Sequence, residues 1–177
     1  MLIDTHCHLF YDEIKNDIHN VLERADSLGV NKFICVATNL EDAQECINLS
    51  EKFSRIWSTA GIHPHDAKNA PRSFEKKLKR LLSHRKIVAL GEIGLDYFRG
   101  YEDKKIQKKI FRKQLSIAQE LGLPIVFHNR ESDKDILSIL SEFPNVNGVA
   151  HCFSSTTETA QRLIDMGFYI SFSGNLT

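Results

Sequence analysis

The feature that most constrains this chain is a regular alternation of short β-rich runs with amphipathic stretches, repeated from one end of the sequence to the other. The runs are "LIDTHCHL", "KFICVAT", "IWSTAGIH", "IVALGEIG", "PIVFHNR", "GVAHCF" and "YISFSG". Between them, apolar residues recur at helical spacing: Ile14, Ile18, Val21, Leu22, Ala25 and Leu28; then Ala43, Cys46, Ile47 and Phe53; then Phe74, Leu78, Leu81 and Leu82. Three later helices follow through Ile106 to Leu121, Ile136 to Phe143, and Ala160 to Ile164. Strand and helix in strict alternation call for a parallel sheet with its crossover helices packed outside it. Gly29, Gly122 and Gly167 stand where helices end, and Pro124 stops the fourth helix from running into the fifth strand.

Seven strands and six helices are one helix, one strand and a final helix short of an eightfold α/β barrel, which typically takes about 250 residues. A doubly wound open sheet is the rival, but the phosphate-binding glycine fingerprint it carries after its first strand is missing here. The expected fold is therefore a TIM-type (β/α)8 barrel, incomplete in this chain, forming a single domain over residues 1–177 with its C-terminal part missing. An apolar content of 42% with 26% charged residues excludes disordered and fibrous classes. Lys plus Arg equals Asp plus Glu, 23 against 23, so any affinity for nucleic acid must come from a local patch. The start has no cationic leader and no stretch is long and apolar enough to span a bilayer, so a cytoplasmic protein is expected. The four cysteines form no C-x-x-C pair and read as reduced, buried small hydrophobes, with neither Cys7 nor Cys152 a nucleophile.

In such a barrel, chemistry collects where strands end on the C-terminal face. His6 and His8 sit two apart at the end of the first run, on one side of the strand together with Asp4 and roughly 7 Å from each other. Glu92 follows Val88 and Leu90 on the expected inward parity, His128 follows Val126, His151 follows Val149, and His63 follows Thr59 and Gly61. One histidine at a strand end is more often a satisfied core or rim residue than a ligand. Five of them converging on a buried carboxylate are costly unless something cationic pairs with the carboxylate. Imidazole with carboxylate suits zinc, manganese, iron or nickel, and this many donors suggests two ions with Glu92 as the bridge.

Several neighbours are candidates for support. Asp4 and Asp96 could orient a liganding imidazole or a strand end, or could simply be turn carboxylates bonded to backbone. Arg130 shares the parity of His128 and could reach a phosphate or form a rim salt bridge. Tyr97, Phe98 and Tyr101 lie near Arg99 in "DYFRGYEDKK", a composition that either stacks nucleobases or packs the loop down. The lysine groups "KKLKR" and "KKIQKK" read as solvated outer helix faces.

The segments "IDTHCHL", "AGIHPH", "GEIGLDY", "PIVFHNR" and "HCFS" resemble, in order, the signature blocks of the TatD-like metal-dependent deoxyribonucleases, a branch of the amidohydrolase-type barrels. The resemblance implies a hydrolase of phosphodiester bonds acting on DNA, single-stranded or at ends, through a water activated by two divalent metal ions (Mg, Mn or Zn). It implies that His6 and His8 bind one ion and His128 and His151 the other, that Glu92 joins them and takes part in catalysis, and that His63 helps hold the scissile phosphate. The family also carries an aspartate in a Glu-Thr-Asp block at the eighth strand, and no such block occurs here. The chain is then either a piece of a longer protein or a shortened member. Two alternatives stay open: the same metal fold hydrolysing an ester or amide such as an aminoacyl-tRNA linkage, and an inactive truncated fragment.

Overall fold

The computed structural model describes residues 1–98 and 103–176. Seven parallel strands form one sheet: β1 (Leu2–Cys7), β2 (Val30–Cys35), β3 (Ile56–Ala60), β4 (Ile87–Asp96), β5 (Ile125–Arg130), β6 (Gly148–Ala150) and β7 (Phe168–Ile170). Their order in space is their order in the chain. A doubly wound sheet reverses direction at a switch point; this one never does, which leaves the barrel type. The two edge strands carry exposed apolar residues, Leu2 and Ile3 on β1 and Tyr169 on β7.

The crossovers are α1 (Asp12–Lys15), α2 (Ile18–Ser27), α3 (Leu40–Lys52), α4 (Phe74–Leu82), α5 (Lys104–Leu121), α6 (Asp133–Ser141) and α7 (Thr157–Asp165), with a 3-10 helix at Pro64–Asn69 and another at Gly174–Leu176. The single first helix expected from Ile14 to Leu28 is divided into α1 and α2. Asp17, at φ −117° and ψ 21°, stands at the break, and its carboxylate takes the Asn20 amide and the Arg24 guanidinium. Short acidic side chains that bond nearby groups in this way compete with helix continuation. Three of the other α-helix starts are capped by a side chain: Asn39 accepts from the Asp42 N–H, Asp103 from that of Lys105 and Thr156 from that of Thr159. Gly122 ends α5 in the left-handed conformation.

The apolar faces of the helices bury against one side of the sheet in a continuous core that includes Leu22, Phe33, Leu78, Leu90, Phe111, Leu115 and Ile136. The other side carries a smaller cluster of Val36, Ala89 and Val126, with Ile34 and Val149 against it. This corrects the parity expected for the fourth strand. Leu90 belongs to the helix-side core and Ala89 faces inward, so Val88 and Leu90 do not lead to Glu92 by simple alternation. β4 slips against β5 between Leu90 and Ile93, which pair with Ile125 and Phe127, so three residue steps on β4 match two on β5. A bulge of this kind inverts which side chains face inward beyond it, and it is what aims Glu92 at the C-terminal mouth.

The lysine-rich helix faces are solvated and tied to neighbouring helices by ion pairs: Lys79 with Glu120, Lys113 with Glu75, Arg112 with Glu142 and Lys108 with Asp135. Among the described residues, no helix is long and apolar enough to cross a membrane. All four cysteines are free; Cys35 and Cys46 are buried, whereas Cys7 and Cys152, at strand ends by the mouth, are only partly buried, contrary to the expectation for them.

Candidate metal centre and active site

The ends of five strands meet around Glu92, a carboxylate with 4% of its surface exposed. Its Oε1 lies 3.1 Å from His151 Nε2, 3.5 Å from His128 Nδ1 and 3.6 Å from His63 Nε2, while its Oε2 lies 3.4 Å from His6 Nε2. His6 and His151 stack with ring centroids 3.6 Å apart, and His8 meets His6 edge-on at 5.1 Å. Two sets among the described residues offer ligand atoms within 4.8 Å of one another: His6, His8 and Glu92, and His63, Glu92 and His128. His151 falls in neither set but makes the shortest approach to Glu92.

Hydrogen bonds fix which nitrogens are available. The His8 Nδ1 lies 2.7 Å from the Val36 carbonyl oxygen, so it must donate, and Nε2 keeps its lone pair. The His63 Nδ1 accepts the backbone N–H of His65 at 3.2 Å, which puts the ring proton on Nε2, directed toward Glu92. Asp96 Oδ2 lies 2.9 Å from His128 Nε2 and 3.0 Å from His65 Nε2. That carboxylate draws the His128 proton to Nε2 and turns the Nδ1 lone pair toward Glu92. His6 has no hydrogen-bond partner at either ring nitrogen, although both are buried.

Electrostatics favour an anionic carboxylate beside neutral His6, His63 and His128 rings. Burial alone would raise the Glu92 carboxyl, but the close approach of the His151 and His6 rings and the field of His63 outweigh it and hold it well below the usual range. Asp96 is lowered likewise: burial opposes ionisation, and His128 and His65 overcome it. Burial pushes His63 down to about 3 and lowers His6 and His128 as well, against the partial opposition of Glu92. Deprotonated imidazoles around an ionised carboxylate are the protonation state that a cation requires.

The supports come from elements that sequence spacing did not reveal. His65 lies beyond β3 in a 3-10 helix, where strand parity does not apply; its only signal was the repeated histidine in "GIHPH". On α5, the Gln107 side-chain amide bonds both backbone groups of Asp96, accepting at 2.9 Å and donating at 2.8 Å. Gln114, two turns on, does the same to Ile62, at 2.8 and 3.0 Å. Gly94 pairs with His128, and a Cβ there would lie 2.0 Å from the His128 carbonyl oxygen, with φ at +128°. Asp4 is exposed, and its carboxylate accepts the backbone N–H of His6 at 3.0 Å, holding the strand end rather than a ring. Arg130 lines the cleft of about 390 Å³ together with Tyr11, Thr38, Asp66 and the histidines. Of the loop aromatics, Tyr97 donates its hydroxyl to Asp135 at 2.6 Å and is packed down, whereas Phe98 is 53% exposed. Arg99 and Tyr101 lie outside the described residues.

The order of these blocks and the fold that carries them have counterparts in known proteins. The family described as TatD related DNase matches residues 3–177. The chain belongs to that family. Among its relatives, an uncharacterized metal-dependent hydrolase, YabD of Bacillus subtilis, is 37% identical over 100% of this chain and 70% of its own length. A Shigella flexneri protein named as the 3'-5' ssDNA/RNA exonuclease TatD is 33% identical, over 98% of this chain and 67% of its own. Two crystal structures superpose closely: YJJV, a TatD homologue from Escherichia coli, at a TM-score of 0.87 and 31% identity, covering 96% of this chain and 66% of that one, and a TatD family hydrolase from Entamoeba histolytica at 0.90 and 29%, covering 98% and 65%. The chain thus spans about two thirds of the length of these TatD proteins.

A metal-dependent TatD site fits the residues present. His6 is half-buried with both ring nitrogens out of solvent and unsatisfied, a cost of about 1–3 kcal/mol for each such group, and a cation taking one of them as ligand would remove that nitrogen's share. The donors are imidazole nitrogens and carboxylate oxygens, the set that divalent transition metals and zinc accept.

Proposed function

We propose that this TatD-family chain carries the catalytic centre of a divalent-metal-dependent phosphodiesterase acting on nucleic acid, with single-stranded DNA as its preferred form. The observation that carries the reading is the anionic, buried Glu92 ringed by His6, His63, His128 and His151, each within 3.6 Å. His6 and His8 would hold one cation and His128 and His151 the other, with Glu92 shared between them. Magnesium, manganese or zinc at such a centre supplies a water deprotonated near neutral pH and neutralises charge on phosphate oxygens.

The side chains divide the remaining work. Asp96 keeps the His128 proton on Nε2 and so keeps Nδ1 a donor of its lone pair. His63 differs from the ligand histidines because its Nδ1 is taken by a backbone N–H, so its cleft-facing Nε2 carries hydrogen. That atom suits donation to a phosphate oxygen better than metal ligation, and burial keeps it from exchanging that role for a charge. Arg130 brings a planar donor fork to the rim, matched to two oxygens of one phosphate.

The test is cleavage of a single-stranded oligodeoxynucleotide by this protein with manganese, and with manganese plus chelator, alongside His128→Ala. Cleavage that needs the metal and the histidine supports the proposal. Cleavage that survives chelation defeats it. Isothermal titration of manganese into the same proteins reads the centre independently of turnover, and His128→Ala should weaken it.

A further inference from the structure

We infer that Phe98, stacked on the guanidinium of Arg130, is a platform for one nucleobase of a single-stranded substrate. The in-plane edge of Arg130 takes the adjoining phosphate. The inference rests on the nucleic-acid reading above and adds to it the place where a base is gripped.

Three observations converge. The Arg130 guanidinium carbon lies 3.8 Å from the Phe98 ring centroid, so the cation covers one face of the ring. Even so the ring is 53% exposed. The exposed apolar residues of β1 and β7 are explained by unpaired sheet edges, but Phe98 stands just beyond β4, beside the cleft. A guanidinium whose carbon sits over a ring keeps N–H donors at its rim, still able to bond a phosphate. Arg130 makes no ion pair with any of the described residues.

The platform is also held in register with the chemistry. The Phe98 N–H donates to Asp96 Oδ1 at 3.0 Å, and the other oxygen of that carboxylate holds His128. Tyr97 cannot serve in its place, since its hydroxyl is bonded to Asp135 and Lys104 lies over its ring at 4.3 Å. An aromatic face beside a free phosphate donor matches a nucleotide within a strand. A simple phosphate ester would use only the arginine. Stacking is tolerant of base identity because every base presents a π-face, so the platform should grip any base.

The test compares binding of a fluorescein-labelled thymidine oligomer with that of an abasic oligomer of equal length, by anisotropy with calcium as the supporting cation. The wild-type protein should prefer the thymidine oligomer about tenfold, the effect of one stacked base, and Phe98→Ala should bring the two to near parity. Phe98→Trp should keep the preference, and its emission should be quenched by the thymidine oligomer but not by the abasic one. The native Trp57 reports separately, since it lies early on β3 with Lys86 over its ring. An unchanged preference in Phe98→Ala, no preference in the wild type, or binding of neither oligomer overturns the platform. Metal-dependent hydrolysis of bis(p-nitrophenyl) phosphate, a diester without bases, reads the hydrolase proposal by itself, so the two can fail separately.

Discussion

Gln107 holds both main-chain polar groups of Asp96: its Oε1 accepts the Asp96 N–H at 2.9 Å and its Nε2 donates to the Asp96 carbonyl at 2.8 Å. A side chain only 1% exposed on α5 thereby fixes the residue that orients His128. Gln107→Leu would leave two buried backbone groups unpaired, and it should lower stability by about 2–5 kcal/mol. Urea unfolding measures this; a loss under about 0.5 kcal/mol, the scale of an ordinary surface change, would show that the amide is not needed to satisfy that backbone.

Asp96→Asn keeps the shape and removes the charge that draws the His128 proton to Nε2. Metal affinity should fall about 10- to 100-fold, as it does when a ligand histidine loses its carboxylate partner. Manganese titration calorimetry on the variant is the measurement, and an unchanged affinity would remove Asp96 from the account of the centre.

His6→Leu should separate structural from metal-binding roles. In chelator the substitution removes two buried unsatisfied nitrogens but also the ring beside the Glu92 carboxylate, and the two effects should leave stability within about 1 kcal/mol of the wild type. The wild type should gain about 2.7 kcal/mol with free manganese at a hundred times its dissociation constant, and the variant should gain less. Melting curves with and without manganese test both halves. Strong destabilisation in chelator would mean that His6 packs as a core residue.

Gly94→Ala should be severe. Its Cβ would fall 2.0 Å from the His128 carbonyl oxygen at a φ of +128°, and both partners are backbone, so neither can give way cheaply. A loss above about 4 kcal/mol is expected, visible as lost soluble expression or a collapsed circular-dichroism transition. Native-like stability would contradict the tight β4–β5 approach.

Asp135 supplies a pH prediction outside the candidate metal centre. The Tyr97 hydroxyl, with Lys108 beside it, holds the Asp135 carboxyl below its usual value of 3.8. A depressed folded pKa contributes stability that is complete above the unfolded value and is lost as pH falls through the folded one. Asp135→Asn should therefore flatten the fall in urea midpoint below about pH 4 and change little of its slope at neutral pH. The effect should be small, since the carboxylate is 37% exposed. An identical acid slope in the variant would show that the contact with Tyr97 does not persist in solution.

Alternation of β and helical patterns was enough to order the seven strands, because each period dictates which side of an element is buried wherever the rest of the chain lies. Strand ends likewise placed His6, His63, Glu92, His128 and His151 at one mouth, since a parallel sheet puts every C-terminal end on the same face. The route to Glu92 was not legible: alternation through Val88 and Leu90 ignores the bulge, and a bulge is a property of two paired strands. Nor was His65, whose meeting with Asp96 depends on a 3-10 helix after β3.

Read along the chain, local periodicity and strand direction fix the order of the elements, which imidazoles and which carboxylate gather, and the end of the sheet where they gather. Packing in three dimensions sets which ring nitrogen of His8 and His128 is taken, that two α5 glutamines clamp Ile62 and Asp96, and that Phe98 rides on Arg130. Those are contacts between residues far apart in the chain, with geometry set by packing across elements, and one-dimensional spacing carries no information about it.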